Sequence, residues 1–414
     1  MSTPVLAPTE APPETPAAPS VMDLERDYVL QNYARYPLIV QRGKGPYVFD
    51  QTGKRYLDFI SGIGVNSLGH AHPRVVKIIR EQAARIIHTS NLYYNEFQGP
   101  LAKRLCEISG LNRVFFCNSG TEAMEGALKM IRAHGNRVSP EKYEILTLDN
   151  SFHGRTLGAI SVTGQPKYRK DFEPLLPGVK FIPACGTESL EQAFSEKTAG
   201  IVIEWIQGEG GVYPVGEDFV RKARELADRH DALLVLDEIQ CGVGRTGKYF
   251  AYQQAEPAVM PDVTVIAKPL AAGLALGAVI ANEKAASAIG SGMHGTTFGG
   301  SALACRVAIE FLTILDELLP SINRVGAHFR SRLEDLQRKY AVVKEVRGYG
   351  LMVGMELHVP GKQLVIDAMN QGLLMNCTHD TVLRFLPPYI VTEKEVDKAV
   401  KVVDKLLRGV KYPV

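Results

Sequence analysis

The chain has 414 residues, 45% of them hydrophobic, and its 47 Lys and Arg side chains nearly balance its 45 Asp and Glu side chains. This length is sufficient for two or three lobes around a large core, while the balanced charge without a dense basic block argues against nucleic acid and anionic membranes as partners. No apolar run reaches the length of a membrane span, and the six cysteines are scattered without a C-x-x-C pair, which is typical of reduced thiols in the cytoplasm.

Residues 1–20, MSTPVLAPTEAPPETPAAPS, are rich in proline and contain no aromatic residue. Such a segment cannot bury enough apolar surface to offset the entropy of ordering, so we predict a disordered tail. The segment also lacks Lys, Arg and a long apolar stretch, which argues against a mitochondrial presequence and against a secretory signal. We therefore expect a cytoplasmic protein.

From residue 114 to residue 281, short apolar runs rich in β-forming residues alternate with helical patterns. This alternation predicts an α/β fold in which helices wind a mostly parallel sheet, and ligands of such sheets bind at the carboxyl ends of the strands. After about Ala304, long amphipathic helices such as CRVAIEFLTILDEL alternate with short strands such as GLMVGMEL. That change predicts a second, smaller α+β lobe.

Polar residues follow the first of these predicted strands, VFFC. Ser119 and Glu122 form an S-x-x-E capping box at the start of a helix, with Gly120 and Thr121 between them. Free amides at a helix start, together with a glycine and two hydroxyls, form a cradle for a phosphate. An ordinary helix cap is the alternative interpretation.

The predicted strand LLVL, residues 233–236, is followed by Asp237 and then by GVGRTG, residues 242–247. Asp237 has three possible interpretations from the sequence: a helix cap, a partner of a surface cation, or a buried carboxylate. A buried carboxylate requires a charged or hydrogen-bond-donating partner. The glycines match the G-x-G-x-x-G pattern of dinucleotide-binding proteins, but five residues separate them from the strand, and Pro257 and Pro261 leave little room for a helix. We therefore interpret 242–247 as a surface loop.

The next predicted strand, residues 263–267, leads to Lys268 in an apolar setting. A buried amine there would lose proton affinity and become a nucleophile, whereas an amine that snorkels to solvent would not. One ligand accounts for Lys268, Asp237 and the phosphate cradle together. Pyridoxal phosphate (PLP) requires a phosphate site, a carboxylate beside its ring nitrogen and a lysine that tethers it.

From about Tyr28 to the C-terminus, the sequence resembles class III aminotransferases of the acetylornithine and ornithine type. The motifs that carry this resemblance are NYARYPLIVQRGKGPYVFD, GHAHP, SNLYYNE, FFCNSGTEAMEGALK, SFHGRTLGAISVTGQPKY, EWIQGEGG, LVLDEIQCGVGRTGKYFAY, AKPLAAG, HGTTFGGSALAC, VRGYGLMVGMEL and VLRFLPP. The resemblance implies a fold type I PLP-dependent homodimer with active sites at the subunit interface. It also implies an N-terminal segment (21–72) that joins the small lobe, a large PLP-binding domain (73–305) and a C-terminal small domain (306–414).

The resemblance further implies the roles of individual residues. Lys268 would tether PLP and move a proton during catalysis, and Asp237 would keep the ring nitrogen protonated. The other residues expected to bind PLP are Ser119, Gly120, Thr121, Phe152, Glu204, Gln240 and, at the phosphate of the neighbouring subunit, Thr297. The residues expected to bind substrate are Tyr33, Arg155, Glu209 and Arg384. No metal site is expected, because His70 and His72 have no carboxylate or cysteine near them in the sequence.

The implied reaction transfers the terminal (δ) amino group of N2-acetylornithine to 2-oxoglutarate, giving N-acetylglutamate semialdehyde and glutamate in arginine biosynthesis. Related amino donors that share these motifs are ornithine, succinylornithine, 4-aminobutyrate and succinyl-diaminopimelate. A PLP-dependent aminomutase or racemase on the same scaffold is an alternative, and a nicotinamide-dependent oxidoreductase is a third. The positions that depart from the family pattern are Met124, Trp205, Pro269, Ala271 and Ala272.

One pocket must accept a donor with a single carboxylate and also glutamate, which has two. We expect Arg384 to bind the α-carboxylate of glutamate and Arg155 its γ-carboxylate. When the δ-amine donor is bound, Arg384 would be left unpaired, and Glu209 in QGEGG would cover its charge. The glycines around Glu209 are expected to let it swing aside when glutamate binds.

Overall fold

The computed structural model describes residues 20–412. Its strands are β1 (Val40–Lys44), β2 (Tyr47–Asp50), β3 (Arg55–Asp58), β4 (Arg113–Cys117), β5 (Glu144–Leu148), β6 (Val179–Ile182), β7 (Thr198–Glu204), β8 (Ile206–Gln207), β9 (Tyr213–Pro214), β10 (Leu233–Asp237), β11 (Val263–Ile266), β12 (Gly277–Ala281), β13 (Val343–Tyr349), β14 (Met352–Leu357), β15 (Leu373–Leu374), β16 (Asn376–Thr378) and β17 (Val382–Phe385). Its helices are α1 (Val21–Tyr28), α2 (Ser61–Gly64), α3 (Pro73–Ala83), α4 (Gln98–Ser109), α5 (Gly120–Val138), α6 (Leu157–Ser161), α7 (Glu188–Ala193), α8 (Glu217–Arg229), α9 (Glu283–Ala286), α10 (Ala302–Lys339), α11 (Lys362–Asn370) and α12 (Glu393–Arg408).

A seven-stranded sheet forms the centre of the molecule, in the order β4-β12-β11-β10-β7-β5-β6. Neighbouring strands are parallel except where β12 takes part, because β12 is antiparallel to both β11 and β4. Strands β7 and β10 are buried along their whole length, as expected for strands covered on both faces. The α/β fold predicted from the alternating pattern is therefore confirmed.

Helices cover both faces of this sheet, because successive side chains of a strand point to opposite faces. Leu233 and Val235 of β10 pack in one core cluster with residues of α5. Leu234 and Leu236 of the same strand belong to the other core cluster, with residues of α8. Full burial of each such side chain contributes about 1.5–3 kcal/mol. The carboxyl end of β10 is therefore held rigidly between two layers of helices.

The C-terminal lobe contains an antiparallel sheet in the order β13-β14-β17-β16, packed against α10 and α11. A separate sheet, in the order β1-β2-β3-β15, joins the N-terminal segment to this lobe, since Leu57 of β3 pairs with Leu373 of β15. Helix α10 is 38 residues long and begins at Ala302, so it spans the domain boundary predicted near residue 306. The limits 21–72, 73–305 and 306–414 stay predictions.

Residues 1–19 of the predicted disordered tail lie outside the described residues. Ser20, the last residue of that predicted tail, does not belong to it, because Ser20 and Asp23 form a reciprocal capping box at the start of α1. Within residues 20–412, no helix is both long enough and apolar enough to cross a membrane.

The glycine-rich segment 242–247 is buried, which contradicts the surface loop predicted for it. Arg245 is 1% exposed and donates to the backbone oxygens of Leu351 at 3.0 Å and Pro387 at 2.6 Å. A Cβ atom at Gly244 would lie 2.4 Å from Leu315 Cδ1. The segment is thus a turn that fastens the central sheet to the C-terminal lobe. Its glycines allow close packing, and the turn does not open a helix as a dinucleotide site would require.

Candidate active site

A cavity of about 470 Å³ lies at the carboxyl ends of β4, β7, β10 and β11. Most of the residues predicted to bind cofactor or substrate line this cavity, namely Ser119, Gly120, Thr121, Phe152, Arg155, Glu204, Glu209, Asp237, Gln240 and Lys268. These residues are far apart in the sequence. The sheet brings them together because the carboxyl ends of its parallel strands share one edge.

The start of α5 forms one wall of the cavity. Ser119 is its N-cap, and the Ser119 hydroxyl accepts from the Glu122 amide at 3.3 Å. As the first residues of the helix, Gly120 and Thr121 have no carbonyl one turn earlier to accept from their amides. A Cβ atom at Gly120 would lie 2.8 Å from the Ile239 side chain, so only glycine fits there. This combination of amides, hydroxyls and positive helix dipole fits a phosphate.

Asp237 and Glu204 lie side by side, because the parallel register pairs the last residue of β10 with the last residue of β7. Asp237 Oδ2 is 2.7 Å from His153 Nδ1, and Asp237 Oδ1 accepts from the Ile239 amide at 3.0 Å. His153 Nε2 is buried and has no hydrogen-bond partner among residues 20–412. Asp237 is therefore a buried carboxylate with a donor partner, not a helix cap or a surface ion pair.

Glu204 accepts from the backbone amides of Phe152 at 2.7 Å and Gly208 at 3.0 Å. Burial raises the pKa of its carboxyl above the usual range, and the neighbouring Asp237 raises it further, while His153 opposes the shift. Two adjacent buried carboxyls repel each other when both are charged, which favours a proton on one of them near neutral pH.

Lys268 lies on the cavity wall two residues after β11 ends. Protein surrounds the amine except where it faces the cavity, and this burial lowers the pKa of Lys268, although Asp237 and Glu209 partly offset the shift. The side chain does not snorkel to the outer surface. A lysine with a lowered pKa is suited to act as a nucleophile and as a proton carrier.

Arg384, on β17, lies directly behind the cavity wall and is 1% exposed. Its Nη1 donates to Glu209 Oε1 at 2.5 Å and to Gln240 Oε1 at 3.1 Å, and its Nε donates to Asn376 Oδ1 at 3.2 Å. Burial alone would raise the pKa of the Glu209 carboxyl, but the Arg384 guanidinium holds it below the usual value. Glu209 is thus paired with Arg384 and is not a solvated loop residue.

Neighbouring groups approach the glycines around Glu209 closely. A Cβ atom at Gly208 would lie 2.2 Å from Gln240 Oε1, and one at Gly210 would lie 2.8 Å from the Asn150 backbone oxygen. A side chain at Gly210 would thus collide with backbone. The flexibility expected of these glycines stays a prediction.

Arg155 lines the opposite side of the cavity and is exposed. Its guanidinium carbon lies 4.0 Å from the centre of the Tyr168 ring and 5.3 Å from the centre of the Phe152 ring. Stacking on two rings orients the planar guanidinium and leaves its edge available for a carboxylate.

Besides Arg384, which lies behind the cavity wall, two predicted site residues do not line the cavity. Tyr33 is 68% exposed and lies in the segment between α1 and β1. Thr297 is exposed, in the loop between α9 and α10. A single chain does not bring either residue to the other predicted site residues.

The structure gives two residues at the site, His153 and Thr378, contacts that the sequence did not predict, although the position of His153 after Phe152 suggested that it lines the pocket. His153 contacts Asp237 over a separation of 84 residues. Thr378 donates to the Glu209 backbone oxygen over a separation of 169 residues. The only sequence signal was the position of His153 directly after Phe152, and no local pattern indicated Thr378.

The chain belongs to the class-III aminotransferase family, since the family described as Aminotransferase class-III matches residues 28–407. An acetylornithine aminotransferase from Methanocaldococcus jannaschii is 46% identical over 393 residues, which are 94% of this chain and 98% of that protein. The ornithine aminotransferase of Toxoplasma gondii, in a structure with partial occupancy of PLP at its active site, has a TM-score of 0.88 and 35% identity and covers 94% of each chain. For the N-acetylornithine aminotransferase of Stenotrophomonas maltophilia, the TM-score is 0.81 and the identity 34%, over 94% of this chain and 98% of that one.

These similarities confirm the resemblance and the fold type I architecture, and the protein is a PLP-dependent aminotransferase. The oxidoreductase alternative loses its support, because the glycine-rich turn that suggested it packs between two lobes.

Proposed function

We propose that the protein transfers the terminal amino group of N2-acetylornithine to 2-oxoglutarate, forming N-acetylglutamate semialdehyde and glutamate for arginine biosynthesis. The observation that carries this proposal is that Lys268, Asp237 and a phosphate cradle share one cavity with Glu209, which covers the buried Arg384 behind the cavity wall. The relatives named acetylornithine aminotransferase support the choice of donor.

PLP is the proposed cofactor, and the donors and acceptors around the cavity fit it. The residues proposed to hold it are Ser119, Gly120 and Thr121 at its phosphate, Phe152 against its ring, Gln240 and Glu204 beside its ring hydroxyl, Asp237 at its ring nitrogen and Lys268 as its tether. When bound, PLP supplies an electron sink for the carbon that loses a proton. The unpartnered His153 Nε2 and the free amides of α5 support this assignment, because buried polar atoms require hydrogen-bond partners.

Lys268 carries the proton in this proposal. Its lowered pKa allows a larger fraction of the amine to be unprotonated near neutral pH than for an exposed lysine. The Lys268 amine would accept the proton from the substrate carbon as a general base and would later donate it again as a general acid. The Asp237 carboxylate is held by His153 and by the Ile239 amide, and it would contact the ring nitrogen of bound PLP.

Arg155 and Arg384 are the proposed carboxylate sites. Arg155 binds the single carboxylate of the acylated donor, while Glu209 covers Arg384. When glutamate binds, its α-carboxylate replaces Glu209 at Arg384 and its γ-carboxylate binds Arg155. Only the Glu209 side chain has to rotate for this exchange, because its backbone is closely packed.

The preference for an acylated donor follows from the carboxylates of the cavity. Glu204 already accepts from two backbone amides, Asp237 is held by His153, and Glu209 is paired with Arg384. None of them is left to receive the α-ammonium of ornithine, and Tyr33, which could accept from a free amine, lies outside the cavity. Acylation removes that charge, so N-acetylornithine fits better than ornithine.

A homodimer is part of the proposal. The segment Leu92, Tyr93 and Tyr94 is strongly exposed, as is Phe298 beside Thr297. Asn91 joins the two segments by donating to backbone oxygens in the Thr297 loop. A continuous exposed apolar surface of this kind is typical of protein interfaces. A partner subunit that covered it would bring Thr297 toward the neighbouring phosphate cradle.

A cytoplasmic location is also proposed, and the unpaired cysteines support it.

Donor profiling tests the proposal. The measurement is kcat/KM for N-acetylornithine, ornithine, succinylornithine, 4-aminobutyrate and succinyl-diaminopimelate, each with 2-oxoglutarate as acceptor. We expect N-acetylornithine to exceed ornithine, and a clear preference for ornithine would contradict the assignment. An aminomutase or racemase would form no glutamate from 2-oxoglutarate, so the same assay tests that alternative.

A further inference from the structure

The loop that carries Glu209 is held by the C-terminal lobe. Thr378 Oγ1, on β16, donates to the Glu209 backbone oxygen at 2.8 Å. Arg347, on β13, donates from Nε and Nη2 to the Gly211 backbone oxygen at 3.2 and 2.7 Å. Thr378 is 6% exposed and Arg347 is 8% exposed, so water competes little for these hydrogen bonds.

The backbone next to these anchors is constrained. Gly211 has a φ of +106°, and Val212 has a φ of +52°, a left-handed conformation that is rare for a β-branched residue. Val212 is fully buried, and its Cβ would lie 2.9 Å from a Cβ atom at Gly354 of β14, so the valine packs directly on that strand. Such a conformation persists only where the surrounding structure enforces it.

Arg384 belongs to the same sheet as these anchors. Strand β17, which carries Arg384, lies between β14 and β16. Asn376 of β16 accepts from Arg384 Nε. Both members of the Glu209–Arg384 pair are therefore held by one four-stranded sheet, although Glu209 lies in the chain between β8 and β9. Contacts with that sheet therefore help to set the position of Glu209 relative to Arg384.

We propose that Arg347 and Thr378 are positioning residues that set the selectivity between the two amino donors. They hold the backbone of Glu209 where its carboxylate reaches Arg384, which leaves rotation of the side chain as the movement that uncovers Arg384. This role rests on the proposed exchange of Glu209 for the α-carboxylate of glutamate. If an anchor is lost, Glu209 covers Arg384 less often, and the half-reaction of the single-carboxylate donor suffers more than that of glutamate.

Matched variants separate this role from a general structural one. Thr378→Val removes the hydroxyl and keeps the shape, while Thr378→Ser restores a donor. Arg347→Lys keeps the charge near Glu345 and Glu356 but cannot donate two N–H groups to one oxygen. Lys344→Gln is the control. Lys344 lies on β13, as Arg347 does, and also pairs with Glu356, so this substitution removes a cation beside Glu356 without changing a contact to the Glu209 loop.

The first measurement is the single-turnover rate of each half-reaction in the holoenzyme. Thr378→Val and Arg347→Lys should slow the N-acetylornithine half-reaction about fivefold more than the glutamate half-reaction, as expected for the loss of one hydrogen bond. Thr378→Ser and Lys344→Gln should keep the wild-type ratio. Equal losses in both half-reactions would overturn the proposal.

The second measurement is hydrogen exchange of the segment 208–212 in protein stripped of PLP, which does not depend on activity. Exchange should be faster in Thr378→Val and Arg347→Lys than in the wild type, and unchanged exchange would overturn the anchoring.

Glu209→Gln distinguishes failure of the anchoring from failure of the proposed exchange at Arg384. If it shifts the ratio of half-reactions and the anchor variants do not, the anchoring fails while the exchange at Arg384 stands. If Glu209→Gln itself leaves the ratio unchanged, the proposed exchange fails, and the selectivity role of the anchors fails with it.

Discussion

The cofactor side and the substrate side of the cavity are built in different ways. On the cofactor side, Asp237 is the last residue of β10 and Lys268 follows the adjacent parallel strand β11, so the register of one sheet fixes their relative position. On the substrate side, Glu209 and Arg384 meet over a separation of 175 residues, and Arg384 belongs to the sheet of the other lobe. Reaction chemistry is thus a property of the central sheet, whereas selectivity depends on contacts between the lobes.

This difference predicts two kinds of mutational effect. A change on the cofactor side should slow both half-reactions equally, because each uses the same proton carrier and the same electron sink. A change on the substrate side should alter the ratio of the two half-reactions, because each donor presents different carboxylates to Arg155 and Arg384.

The largest effect is expected for Lys268→Ala. The variant should fold and hold PLP noncovalently, because the cradle at the start of α5 is independent of the lysine, but turnover should be abolished in both half-reactions. Borohydride reduction of the wild-type protein, followed by peptide mapping, checks the assignment. A pyridoxyl label on any other lysine, including the buried Lys142, would show that the tether is misassigned.

Asp237→Asn should lower the rate of both half-reactions by about a hundredfold or more. A neutral amide cannot keep the ring nitrogen protonated, and each tenfold in rate corresponds to roughly 1.4 kcal/mol of transition-state stabilisation. The amide can still contact His153 and the Ile239 amide, so folding should be little affected. Near-normal kcat in both half-reactions would reduce Asp237 to a structural role.

Glu209→Ala should change the ratio of the half-reactions. Removal of the carboxylate leaves the buried Arg384 without its charged partner when the single-carboxylate donor is bound, so that half-reaction should slow about thirtyfold. Glutamate provides its own carboxylate and should be affected far less. Separate stopped-flow measurements of the two half-reactions give the ratio, and equal losses would contradict the exchange at Arg384.

Thr297→Ala should weaken PLP binding about tenfold without altering the ratio of the half-reactions, because the proposed contact is a hydrogen bond to the phosphate of the neighbouring subunit. The measurement is the Kd of PLP from titration of the apoprotein. Thr296→Ala is the neighbouring control, since Thr296 accepts from Asn118 within its own chain. If the two variants bound PLP with the same affinity as the wild type, the shared phosphate site would be disproved.

Local sequence patterns predicted several residues that line the cofactor side of the cavity. A capping-box pattern after a strand indicated Ser119, although only half of the box forms, because Glu122 Oε2 accepts from the Asn118 amide and not from the Ser119 amide. Apolar strands led directly to Asp237 and Lys268. The α/β fold followed from the same alternation of strands and helices. Each of these signals spans only a few residues, so a single sequence contains it in full.

The substrate side was less predictable because its decisive contacts are long-range. The family resemblance supplied the names Glu209 and Arg384, but it gave no indication that Thr378 and Arg347 anchor the loop over separations of 169 and 136 residues. The close approach of Gln240 to Gly208 is likewise invisible in a local pattern, and the flexibility expected of the glycines in QGEGG stays a prediction. The error at 242–247 has this origin too, since only tertiary packing shows that Arg245 is buried.

The smallest expected effect concerns the backbone of the loop after Lys268, where Ala272 departs from the family pattern. Ala272 has a φ of +50°, in the left-handed region that costs a non-glycine residue about 1–2 kcal/mol. Ala272→Gly removes this strain but increases the chain entropy of the unfolded state, which offsets about 0.4–1 kcal/mol, so the free energy of unfolding should rise by about 0.5–1 kcal/mol.

Ala271→Gly is the matched control. Ala271 is buried without a positive φ, so the same change should lower the free energy of unfolding by about 1 kcal/mol. Chemical denaturation of the PLP-free proteins measures both. If the loop holds Lys268 by rigid geometry, Ala272→Gly should raise the midpoint of unfolding and leave the ratio of the half-reactions unaltered, as expected for a cofactor-side position. A shift of both variants in the same direction would show that Ala272 stores no strain.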